Sequence, residues 1–368
     1  MRRRARRAIL FVLIFAAWFA VFEAGLRRWG SSEAAPSFQG LFTGDPVIGY
    51  RLQPGARTRF ATSEFDTEIA INSTGVRDDE ELGPKPPGSK RIMILGDSLV
   101  LSVQVPFEQT FGELLEKRLN ETYANANLSY RVVNAGVQGY GPVEQLLLFR
   151  RLAADVQPDI VIMTIFVGND AEEAVASEGK LAPARPSLES IRESFITRLR
   201  RTVRRSMVLQ VLRLRIREAT SRFSRPSVAP EPPHQSYAAN PAPRIARGIA
   251  LTREIVETLA REAAEAGART AVVLMPARFQ IDDADYGRLR DIVAEAGGEL
   301  LRDAATERFA SALSDTGLPM LDLLPVLRNA PPGPDLFFQE NIHLTKRGHE
   351  IVGEALARFL ADASLLTP

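Results

Sequence analysis

The 368-residue sequence contains no cysteine. This absence excludes disulfides, thiolate nucleophiles and cysteine-ligated metal sites, and it is neutral about the redox compartment. Histidine is almost as scarce, since His234, His343 and His349 are the only three. Any imidazole base must be one of these, and a multi-histidine metal site is not expected. We therefore expect neither a metal ion nor a cofactor.

The sequence also lacks a large net charge. Lys and Arg total 46 and Asp and Glu total 45, which gives +1. The balance hides an asymmetry, because arginines crowd the first seven residues and the segment 192–225. The chain as a whole has no excess of basic residues of the kind that binds nucleic acid. With 45% hydrophobic and 25% charged residues, the chain suits one large globular domain with additions.

The amino-terminal thirty residues have the pattern of an export signal. Five arginines precede an apolar run at 8–22, which approaches the length of a membrane span when it is extended to residue 26. The arginines are expected to keep the amino terminus in the cytoplasm, and no cleavage site of small residues follows the apolar run. We expect residues 1–30 to form an uncleaved signal anchor that contacts the membrane through residues 8–26. The body would then be periplasmic, on a single-pass protein of the inner membrane.

Beyond the anchor, composition and periodicity divide the chain into three parts. Residues 31–90 are rich in turn-forming residues and predict a loop-rich lead-in with a few short strands. Residues 91–170 and 245–368 alternate apolar runs with helical periodicity, which indicates right-handed crossovers and a mainly parallel sheet. The predicted strands are 91–95, 130–136, 159–167, 269–276 and 318–325, and the predicted helices are 109–120, 142–154, 248–267 and 345–360.

Residues 171–244 interrupt this alternation, because no clear strand is predicted there. The stretch 189–225 holds eleven arginines against three glutamates, and its apolar residues step by four, as in amphipathic helices. Three interpretations stay open for this insertion: a lid beside the active site, a helix on an anionic membrane surface, or a solvated basic face. A proline-rich return follows, in which His234 is predicted to be an exposed loop residue.

The apolar run 92–95 stops on Gly96, Asp97 and Ser98. The run has no period-two alternation, as expected for a central strand that is covered on both faces. Ser98 would lie at the carboxyl end of this strand, where open α/β sheets place their sites, and at the start of a helix with free backbone N–H groups. A helix N-cap is an equally sound role for Ser98 when the tripeptide is considered alone.

Possible partners follow the other predicted strands. Gly139 comes after the strand 130–136, and Asn169 comes after the strand 159–167. Glu340 precedes His343 by three residues, just before the last predicted helix. Taken singly, these residues read as a turn glycine, a helix cap and a loop histidine. Together, each at the end of a strand or the start of the closing helix, they indicate one catalytic site.

The segments ILGDS, NAGVQGY, VGND and ENIHLTKRGH resemble the four blocks of the SGNH, or GDSL-type, hydrolase superfamily in its membrane-anchored bacterial form. The likeness covers roughly residues 72–170 and 269–363. It implies an α/β fold, a three-layer α/β/α arrangement with a mainly parallel, flavodoxin-like sheet, to which the anchor and the arginine-rich helical insertion are added.

The same resemblance assigns roles to the residues of the four blocks. Ser98 would be the nucleophile and His343 the base, while Glu340 stands where the family usually has an aspartate, one methylene shorter. The oxyanion donors would be the Ser98 N–H, the Gly139 N–H and the Asn169 side chain. His349, on the last helix, is expected at the surface or as a cap.

Three functions are compatible with these residues. The first is a serine ester hydrolase that acts on acyl esters, in particular acetyl esters of envelope carbohydrate. The second is a polysaccharide O-acetyltransferase, which shares the acylation half-reaction and passes the acyl group to a sugar hydroxyl. The third is a protein that keeps the fold and binds glycan or a partner without turnover, since one fold hosts many functions.

Overall fold

The structure is a computed structural model. The predicted anchor and the arginine-rich segment 192–225 lie outside the described residues, so the predictions for them are not tested. No helix among the described residues combines the length and apolar character needed to cross a bilayer. The structure describes Trp18 and residues 40–123, 128–181 and 234–366.

Two antiparallel hairpins form the lead-in. Strands β1 (Phe42–Asp45) and β2 (Gly49–Leu52) make the first, and β3 (Arg57–Ala61) and β4 (Asp66–Ala70) make the second. Asp45 shapes the first turn, because its carboxylate accepts the backbone N–H groups of residues 47 and 48, each at 3.0 Å. The short strands agree with the turn-rich composition of this region.

Five strands form the central sheet: β5 (Ser89–Gly96), β6 (Ser129–Gly136), β7 (Ile160–Phe166), β8 (Arg269–Met275) and β9 (Met320–Asp322). The sheet is parallel throughout, with the strand order β6-β5-β7-β8-β9. The position of β5 inside the sheet explains its unbroken apolar run, because residues of both faces are buried. The prediction of a mainly parallel sheet is confirmed.

Helices cover both faces of the sheet. The described helices are α1 (Ser98–Leu101), α2 (Phe111–Tyr123), α3 (Pro142–Val156), α4 (Asp170–Ser177), α5 (Pro243–Glu265), α6 (Asp283–Glu295), α7 (Ala304–Leu313), α8 (Leu323–Arg328) and α9 (Lys346–Asp362). Single 3-10 turns span Phe107–Gln109, Glu178–Leu181, Gln235–Tyr237 and Arg278–Gln280.

The two faces of β5 contact different helices. Met93 and Leu95 face a core built with α3, α5 and α7, whereas Ile92 and Ile94 face a second core built with α2, α8 and α9. This alternation produces the predicted three layers.

Helices α4 and α5 meet backbone to backbone. A Cβ atom at Gly248 of α5 would lie 1.8 Å from the carbonyl oxygen of Ala171 in α4, so no side chain fits there. The amino-terminal end of α4 is therefore held directly against α5. This contact matters for the site, since Asn169 is the residue that caps α4.

Candidate active site

Ser98 is the first residue of α1, immediately after β5. The N-cap of this short helix is Asp97, whose side chain accepts the Leu99 N–H at 2.8 Å. The capping role considered for Ser98 therefore belongs to its neighbour. Ser98 is only 8% exposed, and neither its hydroxyl nor its backbone N–H has a hydrogen-bond partner among the described residues. A serine hydroxyl in this state is available for chemistry.

The end of α1 is fixed by buried polar contacts. Ser102 adopts a left-handed conformation with φ 55°, and its hydroxyl donates to the Leu99 carbonyl at 2.6 Å. The buried Arg77 guanidinium donates to the carbonyls of Leu101 at 2.8 Å and Val105 at 2.7 Å. Because these carbonyls would otherwise be unsatisfied in the core, the contacts hold the four-residue helix and its serine in one place.

The loop after β6 runs beside the loop after β5. Gly96 and Gly136 are paired in the parallel register, and the Val137 N–H donates to the Gly96 carbonyl at 3.0 Å. Gly139 follows with φ +70°, a left-handed conformation that glycine adopts without strain. Its N–H has no acceptor within the described part of the chain. Ser98 and Gly139 thus each present an unused backbone donor at the same edge of the sheet.

Asn169 provides a side-chain amide after β7. It lies at the N-cap of α4 but makes no side-chain capping bond. Instead, its Nδ2 donates to Oε1 of Glu173 at 2.8 Å, and its Oδ1 is buried without a partner among the described residues. One hydrogen of the amide remains for another acceptor. Glu173 lies one helical turn after Asn169, a spacing that could have identified it from the sequence.

Buried carboxylates surround these three loops. Burial raises the pKa of Asp97 to about 6. Burial raises the pKa of Glu173 to about 7, and the charges of Asp97 and Glu144 add to the effect. The pKa of Asp170 is also raised, by burial and then by the charge of Asp97. The charge of Asp97, which follows β5, thus acts on two carboxyl groups that follow β7.

His343 lies in the loop before α9 and is 8% exposed. Its Nδ1 is hydrogen bonded to Oδ1 of Asn341, and that oxygen also accepts the His343 backbone N–H at 3.2 Å. Its Nε2 is buried and has no partner in the described part of the chain. Burial lowers the pKa of His343 to about 4, so the imidazole is neutral at neutral pH and has a free nitrogen to accept a proton.

The carboxylate of Glu340 is not the group at Nδ1 of His343 in this structure. Its Oε2 accepts the Ser63 hydroxyl at 3.0 Å, and its backbone N–H donates to Glu64 at 3.0 Å. Glu340 therefore points to the β3–β4 turn, away from the position predicted by resemblance. Asn341 reaches Nδ1 because its short side chain folds back over two residues, as asparagine does in turns.

The surface position expected for His349 was wrong, whereas its ring does bond to the end of a helix. His349 is 1% exposed, and its Nδ1 accepts the Phe111 N–H at 3.2 Å. Its ring also stacks on Phe111 with a centroid distance of 5.6 Å. Burial lowers the pKa of His349 to about 3, with smaller effects of Arg77 and His343. This histidine joins α9 to the start of α2 and is part of the core.

The comparison with protein families supports the fold seen here. Residues 234–367 match the family described as an SGNH hydrolase-like domain, acetyltransferase AlgX. This match supports the sequence resemblance to the SGNH hydrolase superfamily. The matched residues include Glu340 and His343, whereas Ser98, Gly139 and Asn169 precede them. A search of curated proteins finds no match.

Solved structures of SGNH and related hydrolases align with most of the chain. TesA has 15% identity and a TM-score of 0.42, and the alignment covers 75% of this chain and 100% of TesA. A lipase/acylhydrolase from Enterococcus faecalis has 15% identity and a TM-score of 0.39, with 74% and 96% covered. The acetylxylan esterase Axe2 from Geobacillus stearothermophilus, in a catalytic mutant, has 12% identity and a TM-score of 0.40, with 75% and 96% covered.

A cavity of about 520 Å³ opens beside the candidate active site. Asn169 and Ile342, the neighbour of His343, both line it, which brings the third and fourth sequence blocks to one space. Its wall is mainly apolar, and its Arg278 is paired with Asp285. His234 lies at the cavity and is exposed, as predicted. Other lining residues are Phe166, Tyr237, Phe279, Leu289 and Ile292.

Proposed function

We propose that this protein is a serine acyl-ester hydrolase with Ser98 as nucleophile and His343 as general base. One observation supports the proposal most: Ser98 combines an unpartnered hydroxyl with an unused backbone N–H, and a second unused N–H, that of Gly139, lies at the same edge of the sheet. Free donors and a free hydroxyl at the carboxyl edge of a parallel sheet are what an acyl-transfer site needs.

In the proposed acylation step, Nε2 of His343 takes the proton of the Ser98 hydroxyl while the serine oxygen attacks the ester carbonyl. The carbonyl oxygen then becomes an oxyanion, which accepts hydrogen bonds from the Ser98 N–H, the Gly139 N–H and the Asn169 amide. The imidazolium returns its proton to the leaving alcohol, and water releases the acyl group from Ser98 in the second half-reaction.

The group that orients His343 is part of the proposal. The bond from Nδ1 to Asn341 supports the amide oxygen as the acceptor that fixes the ring and leaves Nε2 free to act as base. Glu340 was the residue expected from resemblance, and its bond to Ser63 supports a role in holding the loop instead. Substitution of both residues distinguishes these assignments, as described below.

We propose an acetyl ester of carbohydrate as the substrate class, because the description of the matching family names an acetyltransferase. The proposal extends to the cellular location: a periplasmic body, an anchor through residues 8–26, and contact of the segment 192–225 with an anionic membrane surface. These parts of the proposal rest on the sequence pattern alone.

A polysaccharide O-acetyltransferase is the second candidate, and the same family description favours it. The two candidates differ only in the acceptor that releases the acyl group from Ser98. A sugar hydroxyl would replace water, while the nucleophile, base and oxyanion donors stay the same. The acceptor must therefore be determined by experiment.

The decisive experiment uses the purified full-length chain with 4-nitrophenyl acetate. We expect nitrophenol release to fall by about 10³-fold or more in Ser98→Ala, because the nucleophile is lost. Ser236→Ala is the matched control, since Ser236 is also buried with an unpartnered hydroxyl within the described residues, and it should keep wild-type activity. An organophosphonate ester should label the wild type at Ser98.

The outcomes separate the candidate functions. Equal background rates in the wild type and Ser98→Ala, without phosphonate labelling, would contradict both enzyme proposals and leave the binding function. Addition of an oligosaccharide distinguishes the other two. A mass gain of one acetyl group on the sugar identifies the transferase, whereas acetate release alone identifies the hydrolase.

A further inference from the structure

Tyr50, on strand β2, contacts the loop that contains the Gly139 donor. Its hydroxyl donates to the backbone carbonyl of Gln138 at 2.6 Å. This carbonyl and the Gly139 N–H belong to the same peptide unit. Because the unit is planar and trans, its C=O and N–H point in opposite directions. Holding the carbonyl toward Tyr50 therefore turns the N–H away from Tyr50.

The 138–139 peptide needs such a constraint. Gly139 has φ +70° and no Cβ, so the loop meets little steric resistance to rotation of this peptide. The Gly139 N–H has no acceptor among the described residues that would fix it from its own side. A rotated peptide would present the Gln138 carbonyl, rather than an N–H, to a developing negative charge.

Tyr50 is itself held firmly. Its ring makes edge-on contacts with Phe42 at 5.6 Å and with Tyr140 at 5.4 Å, both between centroids. The Tyr140 hydroxyl donates to the Tyr50 backbone carbonyl. Burial, with the nearby carboxylates Glu144 and Glu173, raises the pKa of Tyr50 to about 12. The hydroxyl consequently stays protonated and able to donate at any pH at which the protein would work.

We propose that Tyr50 is a positioning residue for the oxyanion hole: its hydroxyl fixes the Gln138 carbonyl and thereby directs the Gly139 N–H to the reacting carbonyl. The inference rests on the proposed function, because it takes Gly139 as an oxyanion donor. A hydrogen bond accepted by the carbonyl also polarises the same peptide, which makes its N–H a stronger donor. Tyr50 touches neither substrate nor reacting atoms in this scheme.

The kinetic test compares Tyr50→Phe with the wild type. The variant keeps the ring and its aromatic contacts but loses the bond to Gln138. Removal of an oxyanion donor costs about 10²–10³-fold in kcat, so misdirection of one should cost roughly tenfold. KM should stay within about twofold, because the donor acts on the transition state and not on the bound ester. The rate of phosphonate labelling should fall in parallel with kcat.

Tyr140→Phe is the matched control. It removes a hydroxyl that bonds to the backbone of β2 and not to the Tyr50 side chain, so the ring contacts of Tyr50 and its bond to Gln138 stay in place. We expect its kcat to stay near the wild-type value. Equal losses in Tyr50→Phe and Tyr140→Phe would assign the effect to packing of the hairpin and would overturn the positioning role.

A second measurement does not depend on turnover. Hydrogen–deuterium exchange of the peptide 137–141 should become faster in Tyr50→Phe than in Tyr140→Phe, because the loop is released. Unchanged exchange would overturn the inference even if the enzyme is active. Faster exchange in a protein whose wild type neither hydrolyses esters nor reacts with phosphonate would support the anchoring by Tyr50 and contradict the proposed function alone.

Discussion

A neutral amide supports the His343 ring less strongly than a carboxylate would. Asn341 Oδ1 accepts a hydrogen bond from Nδ1 and so fixes the tautomer, but it adds no negative charge to stabilise the imidazolium of the proposed mechanism. The lowered pKa of His343, about 4, has burial as its cause and no carboxylate to offset it. The site would therefore work with a weak base.

Asn341→Asp tests this explanation. A carboxylate at Nδ1 should raise the pKa of His343 and increase kcat by about tenfold, because it stabilises the charged ring. In a pH–rate profile, the acid limb should move from near pH 4 toward 6.5, since the base then protonates at a higher pH. An unchanged acid limb would exclude Asn341 as the residue that sets the basicity of His343.

Glu340→Gln is the companion substitution. Glu340 is exposed and bonded to Ser63, so loss of its charge should change kcat by no more than about twofold. The same pH–rate measurement applies to this variant. A fall of about 10³-fold or more would instead make Glu340 the acidic member of the triad, as the resemblance to the family predicts.

The sequence could point to some site residues and not to others. Ser98, Gly139 and Asn169 each follow an apolar run, so the edge of the sheet where they lie was predictable from pattern and resemblance. Asn341 was not, because its role depends on a side chain that folds back over two residues. Tyr50 was not either, since its partner is 88 residues away in the chain.

At the scale of elements, the two lead-in hairpins hold three loops of the site. Tyr50 of β2 bonds to the loop after β6, and the Thr67 hydroxyl of β4 donates to the carbonyl of Val103, beyond α1. In the turn between β3 and β4, Glu64 accepts the N–H groups of Gln339 at 2.6 Å and Glu340 at 3.0 Å. The lead-in is therefore a support for the site and not only a linker.

Glu64→Ala tests the support of the histidine loop. Two backbone N–H groups lose a charged acceptor, so we expect a several-fold lower kcat and faster hydrogen exchange in the peptide 337–345. Glu68→Ala is the matched control, because Glu68 is an exposed carboxylate of β4 that makes no hydrogen bond within the described residues. An equal loss of kcat in both variants would assign the effect to the lost negative charge and not to the contact of Glu64 with the histidine loop.

The elements that were predictable share strong apolar periodicity. The buried strands β5 to β8 were expected within two residues of their observed bounds, and the long helix α5 was expected but begins five residues earlier than predicted. The apolar run 318–325 was expected as one strand, yet it divides into the three residues of β9 and the start of α8, since a short apolar run does not distinguish strand from helix. Tertiary packing, and not the local sequence pattern, determines the structure of residues 318–325.

At the scale of the whole molecule, buried neutral histidines make stability depend on pH. The pKa of His349 is about 3 in the folded state against 6.5 as its ordinary value. Between these values the unfolded chain binds the extra proton, so the free energy of unfolding falls as pH decreases from 6.5 toward 3. Raised carboxyl pKa values have the opposite pH dependence. Burial raises the pKa of Glu113 to about 8, so its effect is to lower the free energy of unfolding as pH rises toward 8.

His349→Gln isolates the histidine contribution, because it keeps an acceptor for the Phe111 N–H but cannot be protonated. Between pH 6.5 and 5, the wild type should lose about 2 kcal/mol more of its free energy of unfolding than the variant. Denaturant unfolding at several pH values measures this difference. The same pH slope in both proteins would show that His349 is not neutral and buried in the folded state.

The contact between Gly248 and Ala171 controls the position of the Asn169 amide from a distance. Helices α4 and α5 can lie this close because Gly248 has no side chain, so any larger residue at position 248 must displace one helix. Asn169 begins the displaced helix and would travel with it. A larger residue at this one position would thus abolish the proposed activity although every reacting group is retained. Inspection of the reacting groups alone would not reveal the cause.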